Sequence, residues 1–328
     1  MLALGCLLLG GLQPVSAKII IPSEEADKSV TTDKLRRSLE FLSDPVCEGR
    51  ATGTRGGTEA AFWIESRFRQ LGMQSFGGTF AKHFRTPGGA VGRNLIGFLP
   101  GSNARNLDSY VLVMAHYDGL GILDGTLYPG ADSNASGVVS LLQIADMMGI
   151  MRRFRKSYNR NVIFVALDAK GLNMAGAASL WEWIDAGRLT HPDTGRPVTR
   201  EKIALVVNID QVGSVLSPIR PDRPDYLLML GGESVSSLCN TQLRSCNGAY
   251  GTALDLGFDY YGSKDFTRLF YRRISDHRFF VENGMPAVLF TSGITMNNNK
   301  VTDTVDGIDL GVLRKRIILM FHWLERFL

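Results

Sequence analysis

Residues 111 to 147, VLVMAHYDGLGILDGTLYPGADSNASGVVSLLQIADM, restrict the possible folds more than any other stretch of the chain. The apolar run from Val111 to Ala115 is short and bounded by turn residues, the pattern of a strand buried on both faces at the centre of a parallel sheet. His116 and Asp118 stand where that strand ends, and open α/β sheets keep their ligands beyond the carboxyl ends of their strands. A Gly-rich loop then delivers Asp132, after which Ser133, Asn134 and Ser136 offer N-cap oxygens to an apolar-periodic helix from Val138 to Met148. An imidazole and a carboxylate thus converge on one sheet edge, a donor pair suited to zinc. Taken singly, each has an ordinary reading: His116 as a hydrogen-bonded loop residue, Asp132 as a helix cap.

The 328 residues are 45% hydrophobic and 21% charged, enough for the core of one large α/β domain, placed here at residues 18–328. The net charge is only +4, and the dense basic run MRRFRKSYNR at 151–160 reads as a solvated helix end or loop, which argues against nucleic-acid binding. Residues 1–17 form an apolar stretch closing in Val15-Ser16-Ala17, which suits a signal peptide cleaved before Lys18, and so an exported protein. Ala3-Leu4-Gly5-Cys6 also resembles a lipoprotein box, so a soluble and a lipid-anchored form both stand. That stretch falls short of the about 20 apolar residues that a transmembrane span needs, and no other candidate span follows.

Elsewhere, TTDKLRRSLEFL lies within an amphipathic helix expected from Ser29 to Leu42, and EGRATGT leads into a second one carrying Ala60, Ala61, Trp63, Ile64 and Phe68. Strands are expected over NVIFVALD (161–168) and IALVVNIDQVG, and an amphipathic helix over Leu310 to Leu328 that takes in His322. Residues 211–266 carry no readable motif and suit a lip around a substrate pocket. Cys239 and Cys246 would lie about 10 Å apart along one unbroken helix, too far to bridge, so a disulfide there requires a turn near Asn240.

The wording HYD followed by GADSNASG resembles the two-zinc aminopeptidase family, which also contains glutaminyl cyclases. The EGRATGT block and the ISDHRFFVENGMPAVLFTSG segment resemble it too. That resemblance implies a three-layer α/β/α sandwich with a mostly parallel mixed sheet, and a zinc exopeptidase that releases N-terminal residues from peptides. It also implies that His116, Asp132 and Asp210 bind one zinc, with Asp132 bridging to a second and Asp118 orienting His116. His277 in the Ser-Asp-His element is expected to be structural rather than a ligand.

The chain then departs from the family pattern. Two adjacent glutamates, the general base and a ligand of the second zinc, belong after the strand at 161–168; anchored on Gly176-Ala177, their positions hold Lys170 and Gly171. The last expected histidine, four residues before the aspartate of an Asp-Thr pair, is Asn299, with Asp303 and Thr304 keeping the surrounding pattern. Asp168 is the one nearby acid and has two readings, a substitute base or a structural strand-end residue. Lys170 also has two: an ammonium in the second metal's place paired with Asp132, or a side chain turned to solvent. The expectation is one zinc on His116, Asp132 and Asp210, a degenerate second site, and peptide hydrolysis that is weak or absent, since loss of the base removes roughly 10² to 10⁴-fold. The competing function is a non-catalytic binding or accessory protein on the peptidase fold; glutaminyl cyclase fits poorly, because its zinc set resembles the one missing here.

Overall fold

The computed structural model describes residues 21–102, 108–215, 223–260 and 262–328; the expected signal peptide over 1–17, with Cys6, lies outside them. The chain opens with helices α1 (Pro22–Ser29) and α2 (Thr32–Ser43). The sequence pattern starts a helix at Ser29 and gives no sign of α1; in the structure Ser29 closes α1, Val30 is extended, and the Thr31 side chain accepts from Lys34 N at 3.3 Å, starting α2. Helix α3 (Arg55–Gln70) follows, then strands β1 (Gln74–Ser75), β2 (Ala81–Arg85), β3 (Val91–Leu99) and β4 (Tyr110–His116). A small hairpin of β5 (Gly121–Leu123) and β6 (Thr126–Tyr128) precedes helix α4 (Ser136–Arg153), β7 (Asn161–Leu167), α5 (Ala175–Asp185) and β8 (Ile203–Ile209). The C-terminal part contains β9 (Tyr226–Leu230), α6 (Gly232–Val235), α7 (Cys239–Ala249), β10 (Asp255–Gly257), α8 (Lys264–Arg273), α9 (Arg278–Glu282), β11 (Ala287–Thr291) and α10 (Leu310–Leu324).

Among the described residues the main sheet has 9 strands in the order β1-β3-β7-β4-β8-β11-β9-β10, with β2 also on β3. Its centre, β7-β4-β8-β11, is parallel, while β3 and β9 run antiparallel to β7 and β11. All seven residues of β4 and of β7 are buried, because helices cover both faces of the parallel centre. Alternation along β4 divides its side chains between two cores. Val111, Val113 and Ala115 pack with residues of α2, α3, α4, α7 and α10, whereas Tyr110, Leu112 and Met114 pack with residues of α5 and α9. The molecule is therefore the expected three-layer α/β/α sandwich with a mixed sheet.

Residues 223–260 fold as sheet and helix rather than as a lip: β9 extends the sheet beside β11, and Leu243 and Cys246 of α7 are buried in the same core as α10. Helix α7 is unbroken from Cys239 to Ala249, and both cysteines are free and buried. No helix among the described residues is long and apolar enough to cross a membrane.

Candidate functional site

The carboxyl ends of the parallel strands carry the chemistry. His116 ends β4, Asp168 directly follows β7, and Asp210 directly follows β8. Asn134 pins two of these ends: its amide donates to the carbonyls of His116 (3.3 Å) and Ile209 (3.0 Å). Its oxygen accepts from Gly137 N at 3.1 Å in the first turn of α4, whose N-cap position is Ala135 rather than one of the expected capping residues.

His116 is buried, with Nε2 facing Asp210 Oδ1 at 3.4 Å. On its other side Nδ1 donates to the backbone carbonyl of Asp118 at 3.1 Å, while the Asp118 carboxylate oxygen Oδ1 lies 3.5 Å away, so the ring is held by the Asp118 backbone rather than by its side chain. Burial and the neighbouring Lys170 work against charge on this imidazole, but the adjacent carboxylates of Asp118 and Asp210 outweigh them and push it up to about 9.

Lys170 turns inward. Its Nζ donates to Asp210 Oδ2 at 2.5 Å and to Ser275 Oγ at 3.3 Å, and lies 3.4 Å from Asp276 Oδ2. Burial opposes the ammonium, yet the charges of Asp210 and Asp276 hold it protonated above the usual lysine range. Asp210, despite its burial, is held well below the usual carboxylate range by Lys170 and His116.

The expected pairing of Lys170 with Asp132 is thus corrected: Asp210, Ser275 and Asp276 surround the ammonium instead, and the Asp132 carboxylate is held elsewhere through Oδ1 while its Oδ2 has no hydrogen-bond partner among the described residues. Asp132 Oδ1 is already taken by Gly213 N (2.7 Å) and the Ser136 hydroxyl (2.8 Å). The backbone N–H groups of Asp132 and Ser133 donate to the Asp303 carboxylate at 2.7 and 3.0 Å. Burial and the nearby Asp132 charge push Asp303 up to about 6, with these same N–H bonds opposing the shift. The group whose ligand atoms all lie within 4.8 Å of one another, and which offers donors for a metal, is His116, Asp210 and Asp276. Asp132 is outside it.

Asp168 faces other partners. Its carboxylate accepts from Thr52 Oγ1 (2.7 Å), Ala169 N (2.7 Å), Arg93 N (2.8 Å) and the Tyr117 hydroxyl (3.2 Å). Burial and Asp118 push it up to about 6 against those bonds. Four donors leave it as a brace between β3, β7 and the loop before α3.

Three residues escaped the sequence analysis as site components. Arg50, fully buried, donates to the carbonyls of Leu42, Pro129 (2.7 Å), Gly130 (2.7 Å) and Tyr117 (2.8 Å), fastening the loop that leads to Asp132. Ser275 and Asp276 come from the turn between α8 and α9; the SDH wording that contains them was the available signal. His277 beside them is buried, with Nδ1 3.4 Å from Asn208 Nδ2, and burial pushes it down to about 3.

These groups open into a cavity of about 400 Å³, whose lining includes His116, Lys170, Asp210 and Asn299 as well as the apolar Phe270 and Ile294. Leu120, Ile274 and Met296, at its rim or beside it in sequence, are exposed apolar side chains.

Comparison with known proteins agrees with this architecture. The "BOS complex subunit ncln" of Danio rerio is 30% identical over 150 residues, covering 43% of this chain and 25% of its own length. The matched region thus spans about a quarter of that relative. The solved LapA aminopeptidase of Legionella pneumophila superposes with a TM-score of 0.68 at 16% identity, over 99% of this chain and 80% of that one. BSAP, a zinc aminopeptidase from Bacillus subtilis, gives 0.65 at 13% identity, over 91% and 95%. The profile of peptidase family M28 matches residues 94–324, from the β3 strand to the end of α10. The chain belongs to peptidase family M28.

Proposed function

We propose that this chain is a non-hydrolytic member of its family, a protein that binds a polypeptide segment in the cavity at the strand ends and does not cleave it. The observation that carries the reading is the inward turn of Lys170 onto Asp210 and Asp276. Hydrolysis in the family pattern needs a carboxylate base and a second metal ligand at the positions of Lys170 and Gly171, and an imidazole at Asn299. None of the three can act as a base or as a good zinc donor in the state seen here.

The donor set also does not fit a pair of zinc ions. Unit charges about 4 Å apart repel by about 4 kcal/mol at an effective dielectric of about 20, and a dication doubles that. A zinc ion on Asp210 would sit within about that distance of the Lys170 ammonium, and only its displacement or deprotonation removes the penalty. The set His116, Asp210 and Asp276 favours a second reading, a single divalent ion bound once Lys170 moves away.

The cavity, with exposed apolar side chains at its edge, supports a polypeptide occupant. A role within a larger assembly is supported by the Danio rerio relative, whose name describes a complex subunit. Export belongs to the same proposal; the apolar stretch ending at Ala17 supports it, and an intact mass beginning at Lys18 checks it.

The deciding experiment offers leucine p-nitroanilide and short peptides to the purified full chain, with and without added zinc, while peptide binding is followed by calorimetry. Binding with turnover at background is expected. Zinc-dependent release of amino acids at rates of ordinary enzymes, about 1 s⁻¹ or more, would overturn the reading.

A further inference from the structure

We propose that the Lys170 ammonium is this chain's own substitute for a metal ion, and that it covers a latent divalent-cation site made by His116, Asp210 and Asp276. An ammonium has three N–H donors and no acceptor. Three acceptors stand around this one: Asp210 Oδ2 at 2.5 Å, Ser275 Oγ at 3.3 Å and Asp276 Oδ2 at 3.4 Å. Ser275 is itself fixed, since its hydroxyl donates to Asp210 Oδ2 at 2.6 Å and accepts from Asn208 Nδ2 at 2.7 Å. The side chain therefore ties the end of β8 to the turn between α8 and α9, as a bound ion would.

A second observation points to a ligand. Asp276 is completely buried, and neither of its oxygens accepts a hydrogen bond among the described residues; the Lys170 ammonium 3.4 Å from Oδ2 is its ion-pair partner. Asp210 Oδ1, also buried, has no hydrogen-bond partner among the described residues and faces only the His116 ring nitrogen, at 3.4 Å. Buried carboxylate oxygens without donors are costly unless positive charge compensates them. One imidazole and two carboxylates, with ligand atoms within 4.8 Å of one another, form the donor set that a divalent ion such as zinc takes. Lysine meets the charge demand but leaves no open coordination position, so the strand ends are held together without a Lewis acid.

This inference rests on the same inward turn of Lys170 as the functional reading, yet the two fail separately. Peptide hydrolysis by a metal-free chain would end that reading and leave this one standing. Metal uptake by the unmodified chain would end this one whatever the activity.

The test is zinc itself. The full chain, Lys170→Ala and Lys170→Ala/His116→Ala are equilibrated with a slight excess of zinc and desalted. Bound metal is then counted by mass spectrometry, and Tm is compared with and without zinc. The unmodified chain is expected to retain none and to show no shift; Lys170→Ala is expected to retain one ion per chain and to gain Tm with zinc, and the double variant to lose both effects. One ion per unmodified chain, lost in His116→Ala, overturns the proposal, as does a folded Lys170→Ala that takes up none. Lys170→Met, which keeps the apolar stem, replaces an alanine variant that does not fold. If neither folds, titration of the unmodified chain decides alone: stoichiometric uptake overturns the substitution and refusal upholds it.

Discussion

Arg50 Nε donates to the carbonyl of Tyr117 at 2.8 Å across 67 residues of sequence, and no carboxylate is hydrogen-bonded to that guanidinium among the described residues. Its charge is spent entirely on backbone oxygens, those of Leu42, Tyr117, Pro129 and Gly130. Removing the side chain takes this donor from all four carbonyls, although Gly130 O also accepts from Ala135 N at 3.3 Å, at about 1 to 3 kcal/mol for each that is left unpaired and that water cannot reach. Arg50→Ala is expected to lose at least about 3 kcal/mol in urea unfolding, and Arg50→Lys most of that, because an ammonium cannot span the fork of acceptors. A loss under about 1 kcal/mol would show that the loop before Asp132 is held by other means.

A pH dependence is built in at the other end of the chain. His322 on α10 is buried, with Nε2 2.8 Å from Asp27 on α1, Nδ1 3.2 Å from Glu325, and its ring stacked on Tyr250 at 3.5 Å between centroids. Burial opposes the charge, and the hydrogen bonds to Asp27 and Glu325 outweigh it, so the imidazole is held above its usual range. A folded-state value raised above the unfolded value of about 6.5 contributes stability that is complete below that pH and is lost as pH rises through the folded value. Unfolding free energy is therefore expected to fall as pH rises above about 6.5. Asp27→Asn should flatten that fall and lower stability chiefly on the acid side; an unchanged slope would remove His322 as its source.

Both the fold and the candidate site were partly legible beforehand, and the gaps have physical causes. Strands β4, β7 and β8 could be read because burial on both faces leaves a continuous apolar run. Strand β9 could not: its YLLML follows prolines, and it becomes a strand through pairing with β10 and with β11, about 60 residues away. His116 and Asp210 were readable as polar residues ending such runs. The partners of Lys170 were not, because two of them, Ser275 and Asp276, come from a turn that lies 105 residues on from Lys170 at Ser275 and reaches the site only through the tertiary fold. Arg50 left no signal, since an arginine that bonds only to carbonyls has no matching acid to find.

The pair Gly176-Ala177, which set the register for Lys170 in the sequence, is a packing constraint in the structure. A Cβ on Gly176 would lie 2.1 Å from the Asp168 carbonyl oxygen and 2.6 Å from Asn94 Oδ1. Asn94 in turn accepts from Asp168 N at 3.1 Å and donates to the Gly176 carbonyl at 2.8 Å, so it has no slack to give. Gly176→Ala is expected to cost about 3 kcal/mol of stability, read from the denaturation midpoint at unchanged slope. A neutral effect would mean that α5 can slide away from β7 and that the register is loosely held.

Restoring the family's residues should restore less than their chemistry suggests. Lys170→Glu, Gly171→Glu and Asn299→His together would return a base, a carboxylate and an imidazole to the cavity wall. The bridging role would still fall to Asp132, whose Oδ1 is committed to Gly213 N at 2.7 Å and Ser136 Oγ at 2.8 Å. Oδ2 of the same carboxylate has no hydrogen-bond partner among the described residues and can take one ion, but a bridge needs both oxygens, and freeing Oδ1 would leave a buried N–H without an acceptor, a cost of about 1 to 3 kcal/mol. The triple variant is therefore expected to bind one zinc per chain and to hydrolyse leucine p-nitroanilide only marginally above the unmodified protein. Adding Ser136→Ala, which releases one of the two bonds, should raise zinc content toward two and activity with it. Two zinc ions in the triple variant alone, counted by metal analysis, would show that Asp132 turns freely and that the lost ligands were the whole obstacle.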